Sequence, residues 1–228
     1  MIYVTGDMHG AIERLYDKEW YKLKAGDILI VCGDFGYLWN GGSEEQKIID
    51  YLATRKFTVA FLDGTHDNYD LINKCRTTYF KGGMVHRIKG NLLHLMRGQI
   101  FNLDGVKIFT FGGGESTDKD MRVEQGYWWR EEIPSPQEMA RGAERLDEEA
   151  CQIDYILTHE PPSLVKSAML FRTGQTQRVN KLNGYFEEIG RNCTFKHWYF
   201  GSLHEDRVVT PLHTCVFKKL IPLEGAKK

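Results

Sequence analysis

The sequence IYVTGDMHG, at residues 2–10, is the first of several stretches that decide the fold of this chain. Its first half is a short run rich in β-branched and aromatic residues, which is typical of a buried strand. Its second half turns at a glycine and then places Asp7 and His9 in the loop after the strand. The pattern therefore predicts a strand whose carboxyl end carries a carboxylate and an imidazole.

Four later segments repeat this pattern, in which an apolar run is followed by glycine, threonine or aspartate and by further Asp or His residues. They lie at Gly33–Gly36, Asp63–Asn68, Thr158–Pro162 and Gly201–His204. In α/β sheets, ligand sites gather at the carboxyl ends of the strands. One such segment is ordinary turn chemistry, but together they predict a shared polar site.

The composition is globular and shows no charge bias towards nucleic acid or membranes. The 228 residues carry a formal net charge of −1, and 42% of them are hydrophobic. The chain contains no run of about 18 apolar residues, so no membrane span is predicted, and its first residues do not resemble a signal peptide.

The five cysteines are scattered without a C-x-x-C pair, which favours reduced thiols over a disulfide framework. We therefore expect a cytoplasmic protein. The net charge does not indicate binding to nucleic acid, but it does not exclude a local basic groove.

Helical segments alternate with the strands and predict an α/β core. Capping boxes at Ser43–Gln46 and Ser135–Glu138 mark two helix starts. Further helices are expected from Ala11 to about Trp20 and from Arg178 to about Ile189.

Turn residues at 89–91 and 97–98 predict hairpins, and hairpins favour mixed sheets over a purely parallel sheet. The closing strands should lie between Val208 and Leu223. Because no linker-like segment interrupts the chain, residues 1–228 are predicted to form a single domain, with 225–228 as a flexible tail.

The residue types at the strand ends are those that bind a divalent cation. Three carboxylates and four histidines make the mixed oxygen and nitrogen set that manganese, iron or zinc prefers. Crowding so many titratable groups lowers stability unless a cation or a substrate needs them, which makes a polar rim without a ligand the weaker interpretation. Three histidines outside these segments are expected at edges or on the surface: His86, His94 and His213.

With these motifs the chain resembles the calcineurin-like metallophosphoesterases, above all their compact bacterial and phage-type members. The family's motif blocks fall, in order, on Asp7–His9, Gly33–Asp34, Gly64–Asp67, His159 and Gly201–His204. The resemblance implies an α/β fold of two mixed β-sheets, packed as a sandwich and flanked by helices in four layers. It also implies metal-dependent hydrolysis of phosphate esters.

The resemblance further implies two metals that share one aspartate. The first would be held by four side chains that are all present here: Asp7, His9, Asp34 and His204. The second would be held by Asp34 and His159, together with an asparagine and a histidine that this chain replaces by Thr65 and Ser202. Neutral hydroxyls are weak ligands that would at most hold water on the metal, so we predict one tightly bound metal and a second that is weak, substrate-assisted or absent. Manganese is the expected ion, with iron, zinc or magnesium as alternatives.

Catalytic roles also follow from the resemblance. Metal-activated water would attack phosphorus, and His66, oriented by Asp67, would donate a proton to the leaving oxygen. The alternative for His66 is a turn residue that caps the next helix. Lys119 and Arg122 would contact the phosphate, unless they are solvated loop charges. The aromatic stretch Tyr127–Arg130 would wall a pocket or, as the favoured interpretation, pack against the helix that follows it.

Two functions remain open at this point. The first is hydrolysis of a phosphorylated substrate of unknown class. The second is a catalytically impaired single-metal protein that binds or senses a phosphorylated ligand, which Thr65 and Ser202 favour. The intact His66–Asp67 pair argues against the second function, since a protein without turnover has no use for a general acid.

Overall fold

The computed structural model describes residues 1–173 and 179–224, and two β-sheets form its centre. The first sheet contains β1 (Ile2–Thr5), β2 (Ile28–Val31), β3 (Thr58–Phe61), β4 (Arg76–Phe80), β5 (Gly83–Lys89), β6 (Leu92–Leu95) and β13 (Ile221–Pro222). Its spatial order is β13-β1-β2-β3-β6-β5-β4. Strands β1, β2, β3 and β6 are parallel to one another, whereas β13, β5 and β4 pair antiparallel with their neighbours. The sheet is therefore mixed.

The second sheet is built in the same way. It contains β7 (Gln99–Leu103), β8 (Val106–Phe111), β9 (Tyr155–Thr158), β10 (His197–Phe200), β11 (Arg207–Thr210) and β12 (His213–Cys215), in the order β11-β12-β10-β9-β8-β7. Strands β8, β9, β10 and β12 are parallel, and the edge strands β7 and β11 are antiparallel.

Helices cover the outer face of each sheet. They are α1 (Ile12–Leu15), α2 (Ser43–Ala53), α3 (Tyr69–Asn73), α4 (Lys119–Gln125), α5 (Pro136–Glu148), α6 (Ser163–Thr173) and α7 (Lys181–Asn192). No helix within residues 1–173 and 179–224 combines the length and the apolar character that crossing a bilayer requires.

The layers follow from the alternation of side chains along each strand. In β2, Ile30 packs between the sheets, while Leu29 points the other way into a core that includes Leu52 of α2. In β9, Leu157 packs between the sheets, while Ile156 joins a core that includes residues of α5, α6 and α7. Both sheets are buried on two faces, and the predicted four-layer sandwich is confirmed.

Several local predictions can be compared with the structure. The hairpin predicted at 89–91 is confirmed, because β5 and β6 pair antiparallel around it. The hairpin predicted at 97–98 is wrong, because the chain crosses there from β6 in the first sheet to β7 in the second. Turn residues mark a change of direction, but they do not say which sheet the next strand joins.

Some of the predicted helix boundaries are confirmed and others are wrong. The capping box of Ser135 and Glu138 is present. The one predicted at Ser43–Gln46 is not, because Glu45 accepts hydrogen bonds from the backbone of residues 39–41 and Gly42 precedes the helix. The first helix is a single turn followed by a 3-10 helix at Lys18–Lys22. Helix α7 begins at Lys181; Arg178 and the predicted tail at 225–228 lie outside the described residues.

Candidate metal centre

Loops from the two sheets meet at the candidate site. Asp7 and His9 follow β1, Asp34 follows β2, and His204 follows β10 of the other sheet. Glycine at a strand end permits this approach, because a Cβ atom at Gly201 would lie only 2.3 Å from Asp7 Oδ1. The glycine that ends β10 is therefore required by the packing of the site itself.

The backbone of the site is strained. The left-handed conformation is adopted by four residues in these loops, with φ values of 49°, 46°, 67° and 52°: His9, Asp34, Ser202 and His204. Residues other than glycine adopt it at a cost on the order of 1 kcal/mol each, and such residues cluster at functional sites. The fold thus holds these side chains in place against a local conformational preference.

Four side chains converge on one point. The ligand atoms of Asp7, His9, Asp34 and His204 all lie within 4.8 Å of one another. His204 Nε2 is 3.0 Å from Asp7 Oδ2, and His9 Nε2 is 2.8 Å from His204 Nε2 and 3.8 Å from Asp34 Oδ2. Two buried carboxylates and two imidazoles form an oxygen and nitrogen set suited to a divalent cation.

The state of the Asp7 carboxylate tests whether this set fits a metal. Asp7 Oδ2 is buried and has no hydrogen-bond partner among the described residues, and its ionic contact with His204 Nε2 spans 3.0 Å. A buried acceptor without a partner is costly and calls for a ligand. The nitrogens of His9 and His204 face each other at the same place. A cation would satisfy all of these groups, so the residues present fit a metal.

The charges of the site are strongly coupled. Burial disfavours ionisation of Asp34, but the imidazoles of His159 and His66 outweigh it and hold the pKa of this carboxyl far below its usual range. Contact with Asp7 raises the pKa of His204, whereas burial lowers the pKa of His9. Asp34 is therefore an anion at neutral pH, as a metal ligand must be.

His159 lies on the other side of the shared aspartate. Its Nε2 is 3.4 Å from Asp34 Oδ1, and its Nδ1 is 3.7 Å from Asp7 Oδ1 and 3.2 Å from the Cys32 carbonyl oxygen. Burial lowers the pKa of His159, but the carboxylates of Asp34 and Asp7 outweigh burial and raise it to about 9. Without a metal, His159 is an imidazolium cation held between two carboxylates.

The two hydroxyl residues of the predicted second metal site behave differently from each other. Thr65 Oγ1 remains beside the shared carboxylate, 3.4 Å from Asp34 Oδ1. Ser202 instead donates its hydroxyl to Glu160 Oε1 at 3.3 Å, while its backbone N–H donates to Asp7 Oδ1 at 3.1 Å. The hydroxyl that replaces the family's histidine is thus engaged with a neighbouring carboxylate.

Comparison with known proteins agrees with this geometry. The calcineurin-like phosphoesterase family matches residues 1–204 of the chain. The chain belongs to this family. No curated protein matches the chain. The match covers every strand-end segment on which the resemblance rested, and the predicted family is confirmed.

In this chain, His66 is held between the shared aspartate and a buried arginine. His66 Nδ1 lies 2.8 Å from Asp34 Oδ2, and Arg122 Nη2 lies 2.5 Å from His66 Nε2. Arg122 also donates to the Thr65 carbonyl at 2.6 Å and pairs with Asp118 at 2.8 Å. Because a guanidinium only donates, His66 Nε2 is the acceptor and the proton of the neutral ring is on Nδ1.

Asp67, which was predicted to orient His66, binds backbone instead. Its carboxylate accepts from Gly64 N at 2.8 Å and Gly36 N at 3.0 Å, and so joins the loops after β2 and β3. Burial and the charge of Asp34 raise the pKa of Asp67 to about 7. The alternative interpretation of His66 as a helix cap does not hold, because Asn68 caps α3 by accepting from Leu71 N.

A cleft of about 1330 Å³ opens beside the metal centre. Its lining includes Asp34, His66, Arg122 and His204 as well as apolar side chains such as Met169. The cleft is much larger than a phosphate ion, so it has room for the organic part of an ester.

Lys119 and the aromatic stretch lie on one flank of the molecule. Lys119 Nζ stands 4.4 Å from the centre of the Trp128 ring, which is a cation–π geometry. The Trp129 ring meets Trp39 edge-on, with 5.3 Å between centroids, and its Nε1 donates to Asp70 at 3.0 Å. The favoured prediction placed this stretch against the following helix, but Trp129 packs on the loop after β2.

Two buried polar clusters were not found from the sequence. In the first, Glu160 Oε2 accepts from Lys166 Nζ at 2.7 Å and from Asn183 Nδ2 at 3.0 Å. In the second, His94 binds Asp63 at 2.9 Å and His86 at 3.0 Å, so the prediction that these two histidines lie at edges or on the surface is wrong. His86 and His94 are register partners on adjacent strands, which only the strand pairing reveals.

Proposed function

We propose that this protein hydrolyses phosphate esters with a divalent cation, manganese in the first place, bound by Asp7, His9, Asp34 and His204. The observation that carries the proposal is the convergence of their ligand atoms within 4.8 Å around a buried carboxylate oxygen that lacks a partner among the described residues. Membership in the phosphoesterase family supports the class of reaction. The cytoplasmic location rests on the sequence alone and stays a prediction.

The bound cation would supply Lewis-acid activation of water and neutralise charge on the phosphoryl group. Asp34 and His204 would fix its position from opposite sheets. Arg122 would bind the substrate: a phosphoryl oxygen is a charge-assisted acceptor, and so a better partner for the guanidinium than neutral imidazole. Thr65 and Ser202 are candidates to hold water near the shared aspartate.

Substrate binding would also change the hydrogen bonds of His66. When Arg122 turns to phosphate, His66 Nε2 loses its donor and can carry a proton, while Nδ1–H stays on Asp34. His66 would then deliver the Nε2 proton to the leaving oxygen. In this scheme Asp67 acts indirectly, by fixing the loop that carries His66.

The first experiment is hydrolysis of 4-nitrophenyl phosphate and bis(4-nitrophenyl) phosphate with Mn²⁺, Mg²⁺, Fe²⁺ and Zn²⁺ in turn. We expect turnover of at least one ester that depends on the added metal, with an Asp34→Asn variant as the control for contaminating enzymes. Activity that appears only at millimolar Mn²⁺ would fit a weakly held second ion. Turnover that persists in a chelator would contradict the proposal.

The role of His66 can be tested with leaving groups of different basicity. We expect His66→Ala to retain turnover of the 4-nitrophenyl ester, because nitrophenolate leaves without a proton, and to lose turnover of an alkyl ester roughly 100-fold or more. If both substrates keep their rates, His66 is not the general acid. Equal loss on both would assign His66 to binding or to the support of Asp34.

A second function, binding of a phosphorylated ligand without turnover, is favoured by one observation. The Ser202 hydroxyl donates to Glu160, so it is not free to replace the missing histidine ligand. No turnover of either ester or of cyclic nucleotides, together with metal-dependent binding of inorganic phosphate, would select this function.

A further inference from the structure

Two of the scattered cysteines meet at the ends of two helices. Cys151 lies just beyond α5, and Cys193 caps the carboxyl end of α7. Burial and the neighbouring Cys151 thiol raise the pKa of Cys193, and the Cys151 thiol donates to Asp147 Oδ1 at 3.6 Å. Both side chains are half-buried, whereas Cys32 and Cys215 are fully buried.

The backbone holds these two cysteines in register. Gln152 and Thr194 form a parallel β-bridge, and the Thr194 N–H donates to the Cys151 carbonyl at 2.8 Å. Cys151 and Cys193 each precede one partner of that bridge, so the bridge brings their Cα atoms close together, although Cys151 has a left-handed backbone, with φ at 53°. Neighbouring positions of paired strands are about 5 Å apart at Cα, which is inside the range that a disulfide spans.

We propose that Cys151 and Cys193 are a site of reversible thiol oxidation that closes to an intrachain disulfide. The oxidant is a small-molecule disulfide. One cysteine thiolate attacks it, forms a mixed disulfide and releases one thiolate; the second cysteine attacks the mixed disulfide and releases the other. Both thiol protons end on the two released thiols, so the protein loses two hydrogen atoms and the oxidant gains them.

The bond would tie down one wall of the cleft. Residues 151–193 include α6 and α7, and Lys166, Met169 and Leu182 from these helices line the cleft beside the metal centre. A disulfide at the base of this segment restricts its unfolding. The inference does not depend on the proposed function, because neither thiol is among the residues proposed to hold the metal or to act on the substrate.

The experiment compares three single variants with the wild type. Protein reduced in a chelator is incubated with oxidised glutathione at about pH 8.5, since burial raises the pKa of Cys193 to about 12 and slows its reaction at neutral pH. Free thiols are then alkylated, and intact mass and peptide maps are recorded. Cys75→Ser is the matched control, because Cys75 is also half-buried but lies in a different part of the fold.

We expect the wild type and Cys75→Ser to take up two fewer alkyl groups than their reduced, alkylated forms and to yield a linked peptide pair of Cys151 and Cys193. Cys151→Ser and Cys193→Ser should yield no linked pair. The thermal midpoint of oxidised Cys75→Ser should exceed that of its reduced form by roughly 3–8 °C. A wild type that keeps both thiols free, stops at the glutathione adduct or links other cysteines would overturn the inference, whether or not the serine variants fold.

Discussion

The two sides of the metal centre share Asp34 but differ in the other side chains that lie beside this carboxylate. On one side, Asp7, His9 and His204 bring ligand atoms within 4.8 Å of one another and of Asp34. On the other side, His159 is joined by hydroxyls, one of which is engaged with Glu160. The first side offers four protein ligands to a cation, whereas a cation on the second side would need water or substrate to complete its coordination.

This difference shows that the backbone and the side chain of Ser202 have different partners. Ser202 has a left-handed backbone, with φ at 67°, and its N–H donates to Asp7. Its side chain, at the position where the resemblance implied a histidine ligand, donates to Glu160 instead. The backbone of the loop therefore supports Asp7, whereas the side chain contacts a carboxylate outside the first side.

Removing the shared carboxylate should have the largest effect, because it affects both sides of the centre. We expect Asp34→Asn to lower manganese affinity roughly 100-fold or more, since it removes an anionic ligand while keeping the size of the side chain. Titration calorimetry measures the affinity, and circular dichroism checks the fold. Asp104→Asn is the control, because Asp104 is an exposed carboxylate in the turn between β7 and β8. Unchanged affinity in Asp34→Asn would remove the basis of the comparison.

Restoring the second side should have a smaller effect in the opposite direction. We expect Ser202→His combined with Thr65→Asn to raise bound manganese from about one ion per chain to about two at the same free concentration. The control is Ser202→Ala with Thr65→Ala, which removes the hydroxyls without adding ligands. Metal analysis after equilibrium dialysis counts the ions. Two equally tight ions in the wild type would show that the two sides do not differ as the structure indicates.

Much of the first side could be predicted from the sequence because its evidence is local. Asp7 and His9 stand two residues apart after a strand, and Asp34 follows a glycine that ends another strand. Residue type and strand position were enough to place these side chains at one edge of an α/β sheet. The resemblance to the phosphoesterase family then assigned His204, which follows a strand of the second sheet, to the same set.

The contacts that depend on packing could not be predicted in the same way. The partner of Ser202 is Glu160. The Glu160 carboxylate in turn accepts hydrogen bonds from Lys166 of α6 and Asn183 of α7. No spacing in the sequence connects these segments. Asp67 illustrates the same limit, since its position next to His66 suggested a contact that the loop geometry gives to backbone N–H groups instead.

The smallest predicted effect is the contribution of the His159 charge to stability. Measuring it tests the second side of the centre in the metal-free protein. In the folded, metal-free protein its pKa is raised from 6.5 to about 9, so its contribution to stability is complete below pH 6.5 and is lost as the pH rises through 9. We expect urea unfolding in a chelator to show the wild type more stable than His159→Gln by about 2 kcal/mol at the acidic end, with the difference shrinking towards the alkaline end. His197→Gln is the matched control, because burial lowers the pKa of His197, which is the opposite direction to the shift at His159. A difference that stays constant with pH would mean that His159 is not held as a cation between Asp34 and Asp7, and that the second side is less anionic than its geometry suggests.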